Sequence, residues 1–470
     1  MKRRGFSPNV STLVTMLKGL SQISDWSNHP KQLANAHALY RYYLDYTQSI
    51  KHHDPDSVAQ LSVAPFVIYI SILGAAGDTQ KMFDVYFAMD QDGPLAPDRF
   101  VFTAMLRAIA NSQEPADVIS VRDTVASDAK HVWLQIEKTM RRRPDFQPDS
   151  HLIAAALHAL TRGRPADQNL ALDIIAHHIG LTRPGHPDPF KLSPYLNFWT
   201  LEAALQVCLA TQKFRLCVHF MHLIMDNLDF NQPSVRSLVA RSHIHMLLRA
   251  HASLALLASP YESSQAIDAL EWCLKKDAMY DIPDLRPDQR TYHLVLKTCL
   301  RTGDWEGAVK SFQLMTGIQI HFNASEGKAS FRVQKCPKGR SFKPNAETMS
   351  FIMRTALHTK DSTKGLEAFW LSDYVGIDEL LKDKVAEPFF RASFARALAS
   401  LIDQVLDDPR TGEHRERLLS LKARSQQVVR TLGHTFRPEK LALGNISTFK
   451  QEDSAVSFDL AARSSKPRSN

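Results

Sequence analysis

The apolar positions of this chain recur at helical spacing in short blocks separated by polar breaks. From Tyr292 to Arg301 they fall on one face of a helix. Gly303-Asp304 follows, and a second block then carries Ala308, Phe312 and Met315 on one face. The stretch from Val63 to Met89 repeats the arrangement. Setting Tyr292 over Phe66 places Gly303-Asp304 on Gly77-Asp78, Ala308 on Met82, Phe312 on Tyr86 and Met315 on Met89, without a gap.

The pattern predicts a helical hairpin as the repeated unit. Glycine supplies the positive-φ break that lets the chain reverse. The aspartate that follows caps the second helix. A small residue such as Ala308 lets two helices approach closely. Each unit closes on proline followed by Asp or Asn: Pro8-Asn9, Pro97-Asp98, Pro148-Asp149, Pro287-Asp288 and Pro344-Asn345. Proline stops further helix, and the polar residue starts the next one. Units begin near Val63, Arg99, Gln289 and Ala346, with weaker ones near Val10, Ser150 and Phe198 and one more near Arg236. In the unit at Ala346, Lys360 stands where the turn glycine is expected and Gly365 takes the small position.

These residues resemble the pentatricopeptide-repeat (PPR) motif, with the tetratricopeptide repeat as the nearest alternative; the recurring Pro-Asp/Asn favours the former. The resemblance implies an all-α fold, an α-solenoid superhelix of stacked helix-turn-helix repeats, over residues 1–385. Insertions interrupt it at 112–147, 180–196 and 316–343, and residues 21–36 also fall outside the pattern. Residues 386–445 read as capping helices and 446–470 as a disordered tail. Met1 to Asn9 reads like the end of a unit, so further sequence is expected upstream.

Composition adds little to this picture and removes some alternatives. The 470 residues are 44% hydrophobic and 23% charged, with a net charge of +8, which suits a polyanionic partner without demanding one. Five cysteines at irregular spacing, none in a Cys-x-x-Cys pair, argue against a disulfide framework. The longest apolar run, Val63 to Gly77, is too short to span a bilayer. No phosphate-cradling glycine loop, Gly-x-Ser-x-Gly or His-Glu-x-x-His occurs. The acid cluster of a nuclease module and the His-x-Glu and Pro-Cys-x-x-Cys of a deaminase are likewise missing. His219 with His222, and His243 with His245, lack a third ligand for a metal. The expectation is a non-enzymatic protein with no cofactor, no small-molecule substrate and no membrane span.

What such a protein would hold follows from the resemblance. PPR arrays read one base of single-stranded RNA per repeat through a few side chains. In the family these are the residue after the aromatic position and the polar residue that closes the repeat. Carried over, the pairs are Thr103 with Asp149, Val67 with Asp98 and His293 with Asn345, while Ser350 has no closing partner. Ala154 and Glu202 fit that readout poorly. Lys328 to Lys343 adds a basic segment with Arg332, Lys335, Lys338 and Arg340 and no acid, suited to phosphate. Each residue also has a structural reading. The aspartates are helix N-caps, Thr103 is a core position, the basic segment is a solvated loop, and Arg141 to Arg143 is an exposed helix end. The functional expectation is an RNA-binding adaptor in mitochondrial RNA stability, processing or translation. The alternatives are a component or assembly factor of a mitochondrial ribonucleoprotein such as the ribosome, and a tetratricopeptide-like scaffold.

Overall fold

A computed structural model describes residues 8–53, 57–58, 61–111, 119–161, 163, 165–185, 190–257, 259, 261–323, 327–334, 341–382 and 387–433. The chain divides at residue 250 into two compact units. In the first, hairpins follow one another: α1 (Val10–Leu20) with α2 (Pro30–His53), α3 (Ala64–Ala76) with α4 (Thr79–Phe87), and α5 (Arg99–Ala110) with α6 (Ile119–Arg142). Next come α7 (Ser150–Leu160) with α8 (Pro165–Ile174), which runs on into one π-helical turn at Ile175–Ile179, and α9 (Phe198–Ala210) with α10 (Phe214–Asn227). The first helices pack on one another in sequence order, α1 on α3, α3 on α5, α5 on α7 and α7 on α9. That order is the mark of a repeat stack, in which each hairpin buries its apolar face on its neighbours. The short α11 (Pro233–Arg236) and α12 (Arg241–Ala255) follow.

The second unit holds α13 (Glu262–Tyr280), α14 (Gln289–Thr302) with α15 (Trp305–Thr316), α16 (Ala346–Thr359) with α17 (Ser362–Val375), the short α18 (Ile377–Lys382), and α19 (Pro388–Val405) with α20 (Arg415–Gly433). Here α14 packs on α16 and α16 on α19. The presumed capping hairpin therefore takes the next place in this stack. Tyr292, Ala308, Phe312 and Met315 are all buried. Each large apolar side chain among them contributes about 1.5–3 kcal/mol.

The turns form as their chemistry requires. Gly77 and Gly303 end α3 and α14 at φ of 80° and 73°. Asp78 and Asp304 then cap α4 and α15 through the amides of Lys81 and Gly307. Lys360 takes the same left-handed conformation at φ 57° despite its side chain. The five Pro-Asp/Asn pairs taken as the close of a unit each begin a first helix: Asn9, Asp98, Asp149, Asp288 and Asn345 each accept an amide hydrogen bond from its first turn.

Three details depart from the sequence reading. Residues 119–142, inside a stretch taken as an insertion, form α6, which packs on α5 and α7 as the second helix of its hairpin. Its apolar stripe, Val125, Ala129, Val132 and Ile136, is buried. Near Arg236 there is one turn of helix, and the longer helix begins only at Arg241. The insertion 316–343 contains an antiparallel β-hairpin, β1 (Ile318–Asn323) and β2 (Lys328–Val333), set beside the all-α stack. The start of the chain and the tail 446–470 lie outside the described residues, as do 434–445 of the expected cap.

Candidate nucleic-acid interface

Thr103, His293 and Ser350, three polar residues at the position after the aromatic, are engaged inside the stack, while Glu202 at the same position is half-buried. Thr103 is 9% exposed, and its Oγ1 donates to the Arg99 carbonyl at 2.7 Å. His293 is 8% exposed; its Nε2 lies 2.8 Å from Thr348 Oγ1 and its Nδ1 3.1 Å from Glu347 Oε2. Ser350 is 2% exposed and bonds Ser393 Oγ at 2.8 Å. Val67 is half-buried. The cause is the packing of consecutive first helices. A residue next to the buried aromatic still points at the neighbouring first helix, and His293 meets two residues of α16 there. The closing residues Asp98, Asp149 and Asn345 are occupied as caps, accepting at 2.8–3.0 Å from Val101, Leu152 and Thr348 amides. In the folded chain these side chains are thus engaged by the repeat stack itself. Arg332 is exposed on β2, and Lys335, Lys338 and Arg340 lie outside the described residues.

What the first helices of unit 1 do offer is set by distance from the cap. Two residues beyond Asp98, Asp149 and Asn197 stand Phe100, His151 and Trp199, all exposed, the two aromatics at 55% and 56%. Nine residues beyond the same caps stand Arg107, His158 and Gln206, also exposed. Between the rows, six beyond each cap, Ala104, Ala155 and Ala203 are buried and leave a shallow trough. Seven residues of helix separate the rows by about 10 Å.

Local contacts hold this face in place. The Arg99 guanidinium lies 5.1 Å from the Phe100 ring centroid and reaches the Asp149 carboxylate at 3.7 Å, tying the start of α5 to the cap of α7. Helices α5, α7 and α9 carry a single acid among them, Glu202. Burial raises its carboxyl above the ordinary carboxylate range, because the half-covered site disfavours the charge. Burial, and then the Arg107 charge, lower the pKa of His158. The face therefore combines rings, donors and a single carboxyl, whose pKa is raised. Residue type alone hid it, since Phe100 and Trp199 sit in apolar runs and read as core; counting from the cap finds both.

Other histidines are structural. Buried His243 accepts the Ala240 amide at its Nδ1 (3.0 Å), and its Nε2 lies 3.1 Å from the Phe198 carbonyl. Among the described residues no group of three His, Cys, Asp or Glu is placed to hold a metal, and no helix is long and apolar enough to cross a membrane.

No protein-family model matches the chain, and no curated protein matches it. Two solved structures of the pentatricopeptide repeat protein PPR10 with an 18-nt psaJ RNA element are similar to it. One, a cysteine-to-serine variant, has 16% identity over 91% of this chain and 57% of its own, with a TM-score of 0.29. The other has 12% identity over 92% of this chain and 72% of its own, with a TM-score of 0.22. The chain thus spans little more than half of the first. On its own helices, turns and caps, the chain is a helical-repeat protein built of stacked hairpins.

Proposed function

We propose that this protein binds single-stranded RNA across the first-helix face of unit 1, as an adaptor without chemistry of its own. The supporting observation is the pair of rows: exposed Phe100 and Trp199 flanking His151, with Arg107, His158 and Gln206 about 10 Å away. Unstacked bases lie on exposed rings regardless of their identity, each stacked base contributing about 1–3 kcal/mol, while Arg107 meets phosphate and His158 and Gln206 offer hydrogen bonds. The burial of Thr103, His293 and Ser350 favours sequence-tolerant binding over a base-by-base code. Of the cellular roles expected from the resemblance, we therefore place a mitochondrial ribonucleoprotein component or assembly factor beside the transcript-specific adaptor.

Binding of the full chain to a pool of short single-stranded RNAs across a salt series, with sequencing of the retained fraction, tests both. Salt-sensitive binding that falls at least tenfold in Phe100→Ala/Trp199→Ala supports the reading. Failure of the wild-type chain to bind RNA at low salt overturns it. A defined enriched motif separates the adaptor from the ribonucleoprotein component.

A further inference from the structure

The β-hairpin of unit 2 is a rigid two-faced ribbon. Register pairs Ile318 with Val333, Ile320 with Phe331 and Phe322 with Ala329 on one face, and Gln319 with Arg332, His321 with Ser330 and Asn323 with Lys328 on the other. The apolar face is anchored. Phe331 stacks on Tyr374 of α17 with centroids 4.3 Å apart and planes at 16°. Trp370 Nε1 donates to the Gly327 carbonyl at 2.8 Å. Gly327 has φ +64°, and a Cβ there would meet Arg410 Cβ at 2.9 Å, so the strand connection sits tightly on the chain below. The Gln334 amide donates to the Gly317 carbonyl at 2.8 Å and closes the base.

The opposite face is exposed at His321, Asn323, Ser330 and Arg332. Neither strand contains an acid. The acids on the supporting helices are engaged elsewhere: Glu367 accepts from Trp305, Asp373 pairs with Arg417, Asp378 with Arg424 and Glu379 with Lys343. Among the described residues Arg332 has no ion-pair partner. The face also carries no ring other than His321, so it offers donors and positive charge but no stacking platform.

We propose that this ribbon face grips the sugar-phosphate backbone of RNA, a contact that rests on the RNA-binding reading and adds a site to it outside the repeat face. Its fixed posture limits the ordering that binding would otherwise require. Its chemistry recognises phosphate, so its contribution is independent of base sequence.

Filter binding of one RNA to the full chain across a salt series tests it, with Arg332→Glu, the milder Arg332→Gln, and Phe100→Ala/Trp199→Ala in parallel. Loss of the Arg332 phosphate contact makes the log–log salt slope shallower by about 0.7, the value for one phosphate on a single strand. The expected loss of affinity is about tenfold for the charge reversal, equal across unrelated RNA sequences, and Arg332→Lys restores the slope at its position. Unchanged slope and affinity in both ribbon variants, with weakened binding in Phe100→Ala/Trp199→Ala, overturns the ribbon contact and leaves the repeat face standing. Absence of wild-type binding overturns both.

Discussion

Lys360 is a glycine position occupied by lysine, and its replacement measures what the turn costs. Its φ of 57° matches the left-handed turn that Gly303 makes at 73° one hairpin earlier. An L-residue in that region is destabilised by about 1–2 kcal/mol. Lys360→Gly removes that strain but gives the unfolded chain more freedom, worth about 0.4–1 kcal/mol. The net expectation is a stabilisation of about 0.5–1 kcal/mol, confined to the α16–α17 hairpin and its neighbours. Gly303→Ala is the converse. It imposes the strain and brings a Cβ to 2.6 Å from His358 Nδ1. His358 is exposed and can swing aside, so the loss is mostly the strain, about 1 kcal/mol or slightly more. A repeat array need not unfold as one transition, so the assay is native-state hydrogen exchange of the α14–α17 amides, supported by urea titration. Protection that is unchanged or reduced in Lys360→Gly, with no loss in Gly303→Ala, refutes the reasoning.

Three further outcomes are expected. Gly74→Ala would place a Cβ 2.2 Å from Ala108 Cβ and 2.9 Å from its Cα, so α3 and α5 must separate; a loss of about 1–2 kcal/mol outweighs the better helix propensity, read by urea unfolding. Buried His243 is held neutral by burial, its pKa lowered from 6.5 to about 4. The unfolded chain alone takes up that proton between those values, so the contribution is intact above about pH 6.5 and declines as pH falls toward 4, by about 3 kcal/mol in all. A pH series of unit 1 exchange protection, wild type against His243→Asn, checks it. Asp149→Ala should cost about 1 kcal/mol while Asp149→Ser retains most of the cap; altered RNA preference in a stably folded Asp149→Ser would instead restore a base-reading role to that residue.

The sequence by itself determined the hairpins, their turns and the start of nearly every first helix, because each depends on local chemistry. Gly303-Asp304 reverses the chain through one residue's φ and one side chain's oxygen, and Pro-Asp/Asn starts a helix with no help from distant contacts. Those signals are read within a few residues. Tertiary structure decided which side of each first helix faces the solvent. Thr103, His293 and Ser350 are polar and helical, and nothing local says that the next first helix will cover them. Phe100 and Trp199 are apolar and nonetheless exposed, because the stack buries the face beside them. The β-hairpin, and the place of α6 in the stack though not its helical character, were hidden for the same reason. Their periodicities are short or mixed, and the partners that stabilise them, Tyr374 and Trp370 for the hairpin and α5 and α7 for α6, come from elsewhere in the chain.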